Sequence, residues 1–306
     1  MLKKSKKIWM DGKLVDWDDA KIHVLTHSLH YGLAIFEGIR CYDTKKGPAI
    51  FRLEEHVNRF FDSAHIFTME IPFTRDEISK AIMDTVRSSG LRECYIRPLA
   101  FYGYGVMGVS PAGAPVNVIV AVWPWGAYLG EDGLKNGIRA KTSSFIRGHV
   151  NSNMSMAKVS GYYVNSQLAK QEALLLGYDE AILLDTEGYV SEATGANIFI
   201  VRGGVIKTTP LTSILEGITR DTVMKLAQEI GLTVREERFT RDEIYIAQEA
   251  FLTGSAAEIT PVKELDGRTI STGTPGEITK ALQNSFFSAA KGKSKNKKHE
   301  RWLSYI

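Results

Sequence analysis

Short apolar strands joined by tight turns recur along the 306-residue chain, and they constrain the fold more than any other feature of the sequence. KKIWMDGKLVDW has the pattern of a hairpin that turns at Asp11 and Gly12, and FEGIRCYDTKKGPAIF predicts a second hairpin that turns at residues 45–48. Further turns are predicted at residues 186–188 and 203–204. Because the strands come in hairpins rather than in repeated strand-helix-strand units, the pattern predicts an α+β fold.

Helical periodicity separates these groups of strands. Residues 53–69 carry apolar side chains at helical spacing. Thr74 and Glu77 have the spacing of a capping box, and the helix that they open is predicted to end at Gly90. Thr219 is predicted to be the N-cap of a later helix, which follows EGI in the sequence.

The pattern breaks into proline, glycine and polar residues at PWGAYLGEDGLKNG. Since 306 residues are more than a single core commonly holds, two domains are expected. The break places a small N-terminal domain at residues 1–125, an interdomain linker at residues 126–137, and a larger C-terminal domain at residues 138–306.

Composition and charge argue against a membrane protein and against a nucleic-acid-binding protein. Apolar residues make up 44% of the chain and charged residues 24%, which is typical of a globular protein. The formal net charge of +3 is raised by lysine-rich ends, KKSKK and KGKSKNKKHER, which we interpret as solvated; the alternative is a contact with nucleic acid. No run approaches the roughly 18 apolar residues of a membrane span, and the two cysteines form no CxxC pair. A cytoplasmic protein that binds neither nucleic acid nor membrane is expected.

Two short motifs are discarded. GYGVMG at residues 103–108 matches the dinucleotide fingerprint, but the following SPAGAP cannot open the helix which that motif requires, so a loop is predicted. His23, His27 and His30 have the spacing of metal ligands on a helix, but no acidic or thiol partner lies nearby. The sequence therefore predicts no metal site.

Lys158 lies in NMSMAKVSGYYVNSQ and is the only charged residue between residues 150 and 169. Its neighbours are small residues, methionines and two tyrosines. An amine in apolar surroundings loses its proton more easily than one in water, and the neutral amine is the form that attacks a carbonyl carbon. Schiff-base chemistry, most often with pyridoxal phosphate, is one interpretation; the alternative is a snorkelling or ion-paired lysine.

Other segments could meet the needs of such a cofactor. Glu192 in GYVSEATGAN follows a predicted strand and could pair with a pyridine nitrogen; the alternative is an exposed acid in a turn. The helix start around Gly217 and Thr219 could bind a phosphate; the alternative is an ordinary cap. Arg59 lies in a predicted helix, where an ion pair with Glu55 one turn earlier is the alternative.

Seven blocks, taken in order, resemble the class IV, fold-type IV pyridoxal-phosphate aminotransferases, and among them the branched-chain amino-acid aminotransferases. They are HYGLAIFEGIRCY, EEHVNRFFDSA, YIRPLAFYGYGVMGV, AKVSGYY, SEATGANIFIV, EGITRD and TGSAAEITPV. The similarity runs from about Trp9 to the final helix. It implies two domains, a smaller N-terminal α/β domain and a larger C-terminal domain with a mixed, barrel-like sheet, and pyridoxal 5'-phosphate as the cofactor.

The resemblance also implies a role for each cofactor-binding residue. Lys158 would be the catalytic residue, which binds the cofactor aldehyde and later moves a proton between Cα and C4′. Glu192 would hold the pyridine nitrogen, and Tyr163 would hydrogen-bond the phenolic oxygen. The phosphate would be bound by the side chain of Arg59, the amides of Ile218 and Thr219, and the hydroxyl of Ser255.

Substrate-binding residues are implied in the same way. Tyr95 and the amides of Ser255 and Ala256 would bind the α-carboxylate, and Arg97 would help to receive the distal carboxylate of glutamate. The apolar pocket would be lined by Tyr31, Phe36, Gly38, Met107, Val109, Trp125, Tyr128 and Tyr163, some of them from a neighbouring subunit. A homodimer is therefore expected as the minimal unit, with a hexamer as the larger alternative.

The expected activity is ping-pong transamination of L-leucine, L-isoleucine or L-valine with 2-oxoglutarate, which gives branched-chain 2-oxo acids and L-glutamate. The partners would be small amino acids and 2-oxo acids. The alternatives within the same fold are a D-amino-acid aminotransferase and an aminodeoxychorismate lyase. A D-amino-acid enzyme would carry an arginine and a histidine two residues apart on the strand that here contains YIRPL, and this strand has no histidine.

Overall fold

The computed structural model describes residues 2–306. The first strands and helices are β1 (Lys7–Met10), β2 (Lys13–Asp16), α1 (His27–Tyr31), β3 (Ala34–Phe36), β4 (Ile39–Thr44), β5 (Gly47–Phe51), α2 (Leu53–Ile66), α3 (Arg75–Ser89), β6 (Cys94–Tyr102) and β7 (Val116–Trp123). They are followed by α4 (Gly130–Asn136), β8 (Ile138–Thr142), α5 (Tyr163–Leu175), β9 (Glu180–Leu184), β10 (Val190–Ala193), β11 (Asn197–Arg202) and β12 (Val205–Thr208). The last are α6 (Ile218–Glu229), β13 (Thr233–Glu236), α7 (Arg241–Tyr245), β14 (Glu249–Gly254), β15 (Glu258–Leu265), β16 (Arg268–Thr269), α8 (Glu277–Ala290) and β17 (Leu303–Tyr305).

The described chain divides into two compact units. The N-terminal unit contains the residues up to Trp125 together with Ala157–Gly161 and Ala289–Ile306, and the C-terminal unit contains Gly126–Met156 and Tyr162–Ser288. The predicted division into domains at residues 1–125, 126–137 and 138–306 stays a prediction, because compact units of the folded chain do not show which parts fold autonomously. The compact units differ from it because two later segments, which include Lys158 and the C-terminal tail, pair with strands of the N-terminal unit.

The N-terminal unit is built on an antiparallel sheet in the order β17-β5-β4-β6-β7-β1-β2, with β3 paired to β6. The turn at Asp11 and Gly12 joins β1 to β2 as predicted, since Met10 pairs with Lys13. Along β7 the fully buried Val118, Val120 and Val122 alternate with partly exposed residues, which is the period of a strand with one face in the core. Helices α2 and α3 pack against this sheet.

The C-terminal unit contains a mixed sheet in the order β10-β9-β8-β15-β14-β11-β12-β13, with β16 paired to β15. β8 is parallel to both β9 and β15, and β12 is parallel to β13, whereas the other pairs are antiparallel. The predicted α+β class with a mixed sheet is therefore confirmed. The segment at residues 126–137, predicted to be a linker, contains helix α4, which packs on β15. The glycines in and around this short helix hide the helical pattern.

Helix ends follow the sequence signals in part. The capping box of Thr74 and Glu77 is present, and α3 ends at Gly90 in the left-handed conformation, as predicted. α2 ends at Ile66 rather than at residue 69. The prediction that Thr219 is the N-cap of α6 is wrong, because Gly217 takes the extended N-cap conformation and the helix begins one residue later.

The C-terminal tail is an ordered part of the N-terminal unit. A 3-10 helix at Lys297–Trp302 leads into β17, which pairs with β5. The amide of Arg52 donates to the carbonyl of Trp302 at 2.7 Å, and the guanidinium of Arg52 lies 5.3 Å from the Trp302 ring centroid. Arg52 directly precedes α2, so the tail supports the start of this helix.

Within residues 2–306, residues 103–115 contain no helix, so GYGVMG is a loop as predicted. No helix in the same range is both long and apolar enough to cross a membrane.

Candidate active site

Lys158 is held along β3 in the N-terminal unit. The amide of Phe36 donates to the Lys158 carbonyl at 3.1 Å, and the Lys158 amide donates to the Ser63 hydroxyl at 3.0 Å. The next residue, Val159, forms an antiparallel bridge with Ile35. Since both backbone groups of Lys158 are bonded, its Cα position is fixed by β3 on one side and α2 on the other.

The side chain of Lys158 is half-buried and lies against an aromatic ring. Its Nζ is 4.8 Å from the centroid of Phe36, a cation-π distance. Phe36 of β3 therefore provides an apolar contact for the Lys158 amine.

Arg59 and His56 lie on α2, one turn apart, and both contact the carboxylate of Glu37. Arg59 Nε donates to Oε1 at 2.7 Å, and its Nη2 donates to Oε2 at 2.9 Å, so the pair is bidentate. His56 Nδ1 lies 2.7 Å from Oε2. Glu37 is completely buried, whereas the Arg59 side chain keeps 13% of its surface exposed. The expected alternative, an ion pair of Arg59 with Glu55, is replaced by this one, because Glu55 accepts from Arg52.

The charges in this cluster are set by burial and by proximity. Burial alone would raise the pKa of the Glu37 carboxyl, but the adjacent Arg59 charge and the hydrogen bonds from His56 and Arg59 hold it well below its usual range. Burial lowers the pKa of His56; Glu37 opposes this shift, and the charges of Arg59 and Lys158 add to it. We therefore take Glu37 as ionised and His56 as the neutral donor to it.

Arg97 lies among aromatic rings of the same unit. Tyr95 and Arg97 are two residues apart on β6 and so share a face of the strand. The Arg97 guanidinium carbon is 4.7 Å from the Phe36 ring centroid, 5.6 Å from that of Tyr95 and 5.8 Å from that of Trp123. Among residues 2–306, the buried Arg97 Nε has no hydrogen-bond partner. This site therefore offers one recessed charge among apolar walls.

Tyr95 also contacts two other predicted substrate residues. Its ring packs edge-on against Trp125 at 4.5 Å between centroids. A Cβ on Gly38 would fall 1.9 Å from the Tyr95 Oη, so only glycine fits there. The Tyr95 hydroxyl thus lies directly against the backbone of the Gly38 turn.

The predicted residues Tyr31, Met107 and Val109 lie at the surface of the N-terminal unit. They are 42%, 47% and 88% exposed. The amide of Gly108 donates to the Tyr31 hydroxyl at 3.1 Å, and His27 Nε2 lies 2.7 Å from the Gly108 carbonyl. This loop is therefore tied to α1.

The three histidines that resembled metal ligands have backbone contacts. Besides that of His27, the His23 ring accepts from the Leu25 amide, and His30 Nε2 lies 2.8 Å from the Val24 carbonyl. Among the residues that the structure describes, no group of three or more potential metal ligands is found.

In the C-terminal unit Glu192 is buried on β10 and held from two sides. Arg147 Nη2 lies 3.0 Å from Oε1, and Asn197 Nδ2 donates to Oε2 at 3.0 Å. Arg147 is itself buried and donates to the Ser166 hydroxyl and the Ala193 carbonyl. The ladder of β10 shifts register between Val190 and Glu192, and such irregularities commonly re-aim a side chain. Glu192 is therefore a fixed, buried carboxylate and not an exposed acid in a turn.

The start of α6 lies beside Asn197. A Cβ on Gly217 would fall 1.9 Å from Asn197 Oδ1, so this close approach requires glycine. Ile218 and Thr219 occupy the first turn, where backbone amides have no partner within the helix. With its 12 residues, α6 has an N-terminus able to bind an anion.

Ser255 and Ala256 form the turn between β14 and β15, and both are half-buried. Thr253, at the end of β14, pairs across the sheet with Asn197. Its hydroxyl is buried and, within residues 2–306, has no hydrogen-bond partner. A polar turn therefore follows the strand that borders β11.

Tyr163 and Tyr128 line one open cavity of about 300 Å³ in the C-terminal unit, together with Ser166 and Thr194. Tyr163 is the first residue of α5. Ser166, one turn later, accepts from Arg147. The predicted Tyr163 is thus connected through α5 to the residue that holds Glu192.

Five residues that support Arg59, Lys158 or Glu192 were not predicted from the sequence: Glu37, His56, Ser63, Arg147 and Asn197. Glu37 had a local signal, since it is an acid enclosed between two apolar strands in AIFEGI. His56, Ser63 and Arg147 are recognisable only from partners at least 19 residues away in the sequence, and Asn197 only from its hydrogen bond to Glu192, five residues earlier.

Comparison with known proteins identifies the family. The model of the amino-transferase class IV family matches residues 34–265, more than half of the chain. The chain belongs to this family. The predicted membership is confirmed, and so is the fold class that came with it.

Relatives of this class IV aminotransferase match it over nearly the whole length. The branched-chain-amino-acid aminotransferase of Pseudomonas aeruginosa is 53% identical over 299 residues, which cover 98% of this chain and 97% of that protein. That of Escherichia coli strain K12 is 47% identical over 306 residues, 99% of this chain and 98% of that protein. Among solved structures, a T.th. branched-chain amino acid aminotransferase with pyridoxamine 5'-phosphate has a TM-score of 0.95 at 50% identity, and the match covers 99% of both chains.

Proposed function

We propose that this protein is a pyridoxal-phosphate-dependent transaminase that moves the amino group of L-leucine, L-isoleucine or L-valine to 2-oxoglutarate. The observation that carries the proposal is the full-length similarity to proteins named branched-chain-amino-acid aminotransferase, at 53% identity in one of them. The products are branched-chain 2-oxo acids and L-glutamate, formed in a ping-pong cycle.

The donor groups of the chain fit this cofactor. Lys158 offers an amine on a fixed backbone, and Glu192 offers a buried carboxylate for a protonated pyridine nitrogen. Arg59 and the start of α6 offer donors for a phosphate. The glycine required at position 217 is the feature expected where backbone must approach a ligand closely.

Each of these residues has a proposed task. Lys158 binds the aldehyde of the cofactor and, once released by the substrate, moves a proton at the substrate Cα. Pyridoxal phosphate supplies the electron sink for that step. Glu192 keeps the ring nitrogen protonated, and Tyr163 donates to the phenolic oxygen. The phosphate is bound by Arg59, the amides of Ile218 and Thr219, and the hydroxyl of Ser255.

The substrate pocket has to accept both an aliphatic chain and a carboxylate. Phe36, Tyr95 and Trp123 surround Arg97, and burying an unpaired carboxylate would otherwise cost several kcal/mol. Arg97 therefore receives the distal carboxylate of glutamate, while the rings contact leucine, isoleucine or valine. Tyr95 and the amides of Ser255 and Ala256 bind the α-carboxylate. The absence of a side chain at Gly38 leaves room for the Tyr95 hydroxyl.

The remaining pocket residues and the assembly follow from the same proposal. Trp125 and Tyr128 complete the apolar walls, and the exposed Tyr31, Met107 and Val109 reach the pocket of a neighbouring subunit. A homodimer is the minimal active unit, a hexamer is the larger alternative, and the enzyme acts in the cytoplasm.

The alternatives within the family are a D-amino-acid aminotransferase and an aminodeoxychorismate lyase. YIRPL lacks the histidine that the D-amino-acid enzyme would need two residues away from its arginine. The lyase would release pyruvate without any amino acceptor.

The proposal is tested by a panel of amino donors, each mixed with the purified enzyme in a single turnover and followed at the cofactor absorbance. We expect L-leucine, L-isoleucine, L-valine and L-glutamate to convert the cofactor, and their D-enantiomers to leave it unchanged. Conversion by D-amino acids, or release of pyruvate without an acceptor, would replace the proposal with one of the two alternatives.

A further inference from the structure

Glu37 is a fully buried charged residue to which neither the sequence nor the family comparison assigned a task. It lies between β3 and β4, and its own amide donates to the Pro98 carbonyl at 3.0 Å. Its carboxylate faces α2 and engages Arg59 through two N–H groups.

We propose that Glu37 is a positioning residue, which fixes the guanidinium of Arg59 in the orientation that binds the cofactor phosphate. The inference rests on the proposed function, because it assumes that Arg59 binds that phosphate. Glu37 acts through Arg59 and does not itself touch the cofactor.

The geometry of the ion pair supports this role. A guanidinium carries five N–H groups in a rigid plane, and the Glu37 carboxylate engages Nε and Nη2 at 2.7 and 2.9 Å. Two parallel bonds fix both the position and the plane of the group, whereas a single bond would let it rotate. The Arg59 side chain keeps 13% of its surface exposed, so the protein does not enclose it completely.

His56 completes the support without adding charge. Its Nδ1 lies 2.7 Å from Oε2 of Glu37, and burial lowers its pKa, which keeps the ring neutral. Glu37 is thus neutralised by Arg59 and hydrogen-bonded by His56. A buried carboxylate that lost Arg59 would be left uncompensated, so the pair is expected to stay closed.

The position of Glu37 in the chain connects Arg59 to the lysine. Phe36, the residue before Glu37, donates its amide to the Lys158 carbonyl. Ser63, one turn after Arg59 on α2, accepts from the Lys158 amide. The aldehyde and the phosphate of a rigid cofactor are a fixed distance apart, so the residues that bind them must be held in register. Phe36 bonds to the backbone of Lys158 and Glu37 bonds to the side chain of Arg59. Because Phe36 and Glu37 are consecutive, they keep the lysine and the arginine at a fixed separation.

The test uses the full-length apoenzyme and compares its affinity for pyridoxal 5'-phosphate and for pyridoxal, which lacks the phosphate. Glu37→Gln should weaken binding of the phosphorylated form by about 10- to 100-fold, the usual range for a residue that supports a ligand-binding group. Its affinity for pyridoxal should change by less than about 3-fold. Arg59→Met should show the same selectivity, and adding Glu37→Gln to Arg59→Met should cause little further loss.

Asp43→Asn is the matched control. Asp43 forms a bidentate pair with Arg92 in the same unit, but at the surface. This variant should bind both ligands as the parent does. If Glu37→Gln does not fold, Glu37→Asp replaces it, since a shorter acid keeps the charge but holds its carboxylate one methylene group further from Arg59. Its expected effect is smaller and equally selective for the phosphate.

Two results would overturn the inference, and they are distinguishable. Equal losses of pyridoxal phosphate and pyridoxal in the Glu37 variant, or additive losses with Arg59→Met, would overturn the role of Glu37 alone. An Arg59→Met variant that does not discriminate between the two ligands would overturn the phosphate-binding role of Arg59 as well.

Discussion

Arg147 Nη2 lies 3.0 Å from Oε1 of Glu192, and both side chains are buried in the C-terminal unit. A buried carboxylate keeps its charge only when it is paired and hydrogen-bonded. Arg147 provides the charge and Asn197 the second hydrogen bond. Glu192 is thus a fixed negative charge, which is what a protonated pyridine nitrogen requires.

Replacing Glu192 by glutamine should remove that charge while keeping the shape. We expect kcat to fall by about 100-fold or more, as when a preorganised electrostatic group is lost, and the cofactor dissociation constant to rise by less than about 10-fold. Steady-state kinetics and cofactor titration measure the two effects. Glu187→Gln is the control, because Glu187 is an exposed acid near the same strand. An unchanged kcat in Glu192→Gln would rule out the electron-sink role.

Arg97→Ala should separate the two substrates. The variant leaves a glutamate carboxylate without its partner but keeps the apolar walls, so kcat/KM for glutamate should fall by about 100-fold, or about 2.7 kcal/mol. For leucine the loss should stay below about 5-fold. Half-reaction kinetics with each substrate provide the measurement, and Arg92→Ala at the surface is the control. Equal losses for both substrates would show that Arg97 does not bind the distal carboxylate of glutamate.

Gly217→Ala should damage the phosphate site by a steric route. The backbone of Gly217 suits alanine, with φ −75° and ψ 125°, but the new Cβ would fall 1.9 Å from Asn197 Oδ1. The start of α6 or Asn197 must move, and we expect the affinity for pyridoxal phosphate to fall by about 10-fold or more. Gly126→Ala is the control, since its Cβ would meet its nearest neighbour at 3.8 Å. Unchanged cofactor affinity would remove α6 from the phosphate site.

His56 should make the stability of the protein depend on pH. Its pKa is lowered from 6.5 in the folded state, so the unfolded chain binds more protons below that pH. The free energy of unfolding should therefore fall as the pH drops from about 7 to about 5, by at most about 1.4 kcal/mol per pH unit from this group. The lowered pKa of Glu37 acts in the same direction, but only below its ordinary value of 4.5.

Urea denaturation across this pH range measures the effect. His56→Gln should flatten the dependence, because the group that takes up the proton on unfolding is gone. His65→Gln, at an exposed position of the same helix, should keep the parent slope. A slope that is unchanged in His56→Gln would show that His56 is not held neutral by the fold.

Local signals predicted much of the fold. The Asp11-Gly12 turn and the capping box of Thr74 are determined by residues next to each other in the chain, and both are present. Thr219 looked like an N-cap for the same local reason. The helix nevertheless begins at Ile218, with Gly217 as its N-cap, and Asn197 leaves no room for a side chain at that position. This contact joins residues 20 positions apart, so the local pattern does not show it.

The supporting contacts of the candidate site could not be predicted in this way. The isolated charge of Lys158 was visible in the sequence, but its bonds to Phe36 and Ser63 join residues that lie far apart in the chain. Likewise, Arg147 is recognisable as the partner of Glu192 only after β9 and β10 have paired. The sequence thus identified candidate residues by their type and their neighbours. It did not identify the groups that orient them, because those contacts form only when distant segments pack together.

The most direct test of the account is to find which lysine the cofactor binds. The purified protein should be yellow near neutral pH, and reduction with borohydride followed by peptide mass mapping should place the pyridoxyl group on Lys158. Lys158→Ala should lose the reducible bond, whereas Lys207→Ala, which removes an ion-paired lysine of the C-terminal unit, should keep it. A pyridoxyl group on another lysine of the parent, or a reducible chromophore retained in Lys158→Ala, would contradict the account.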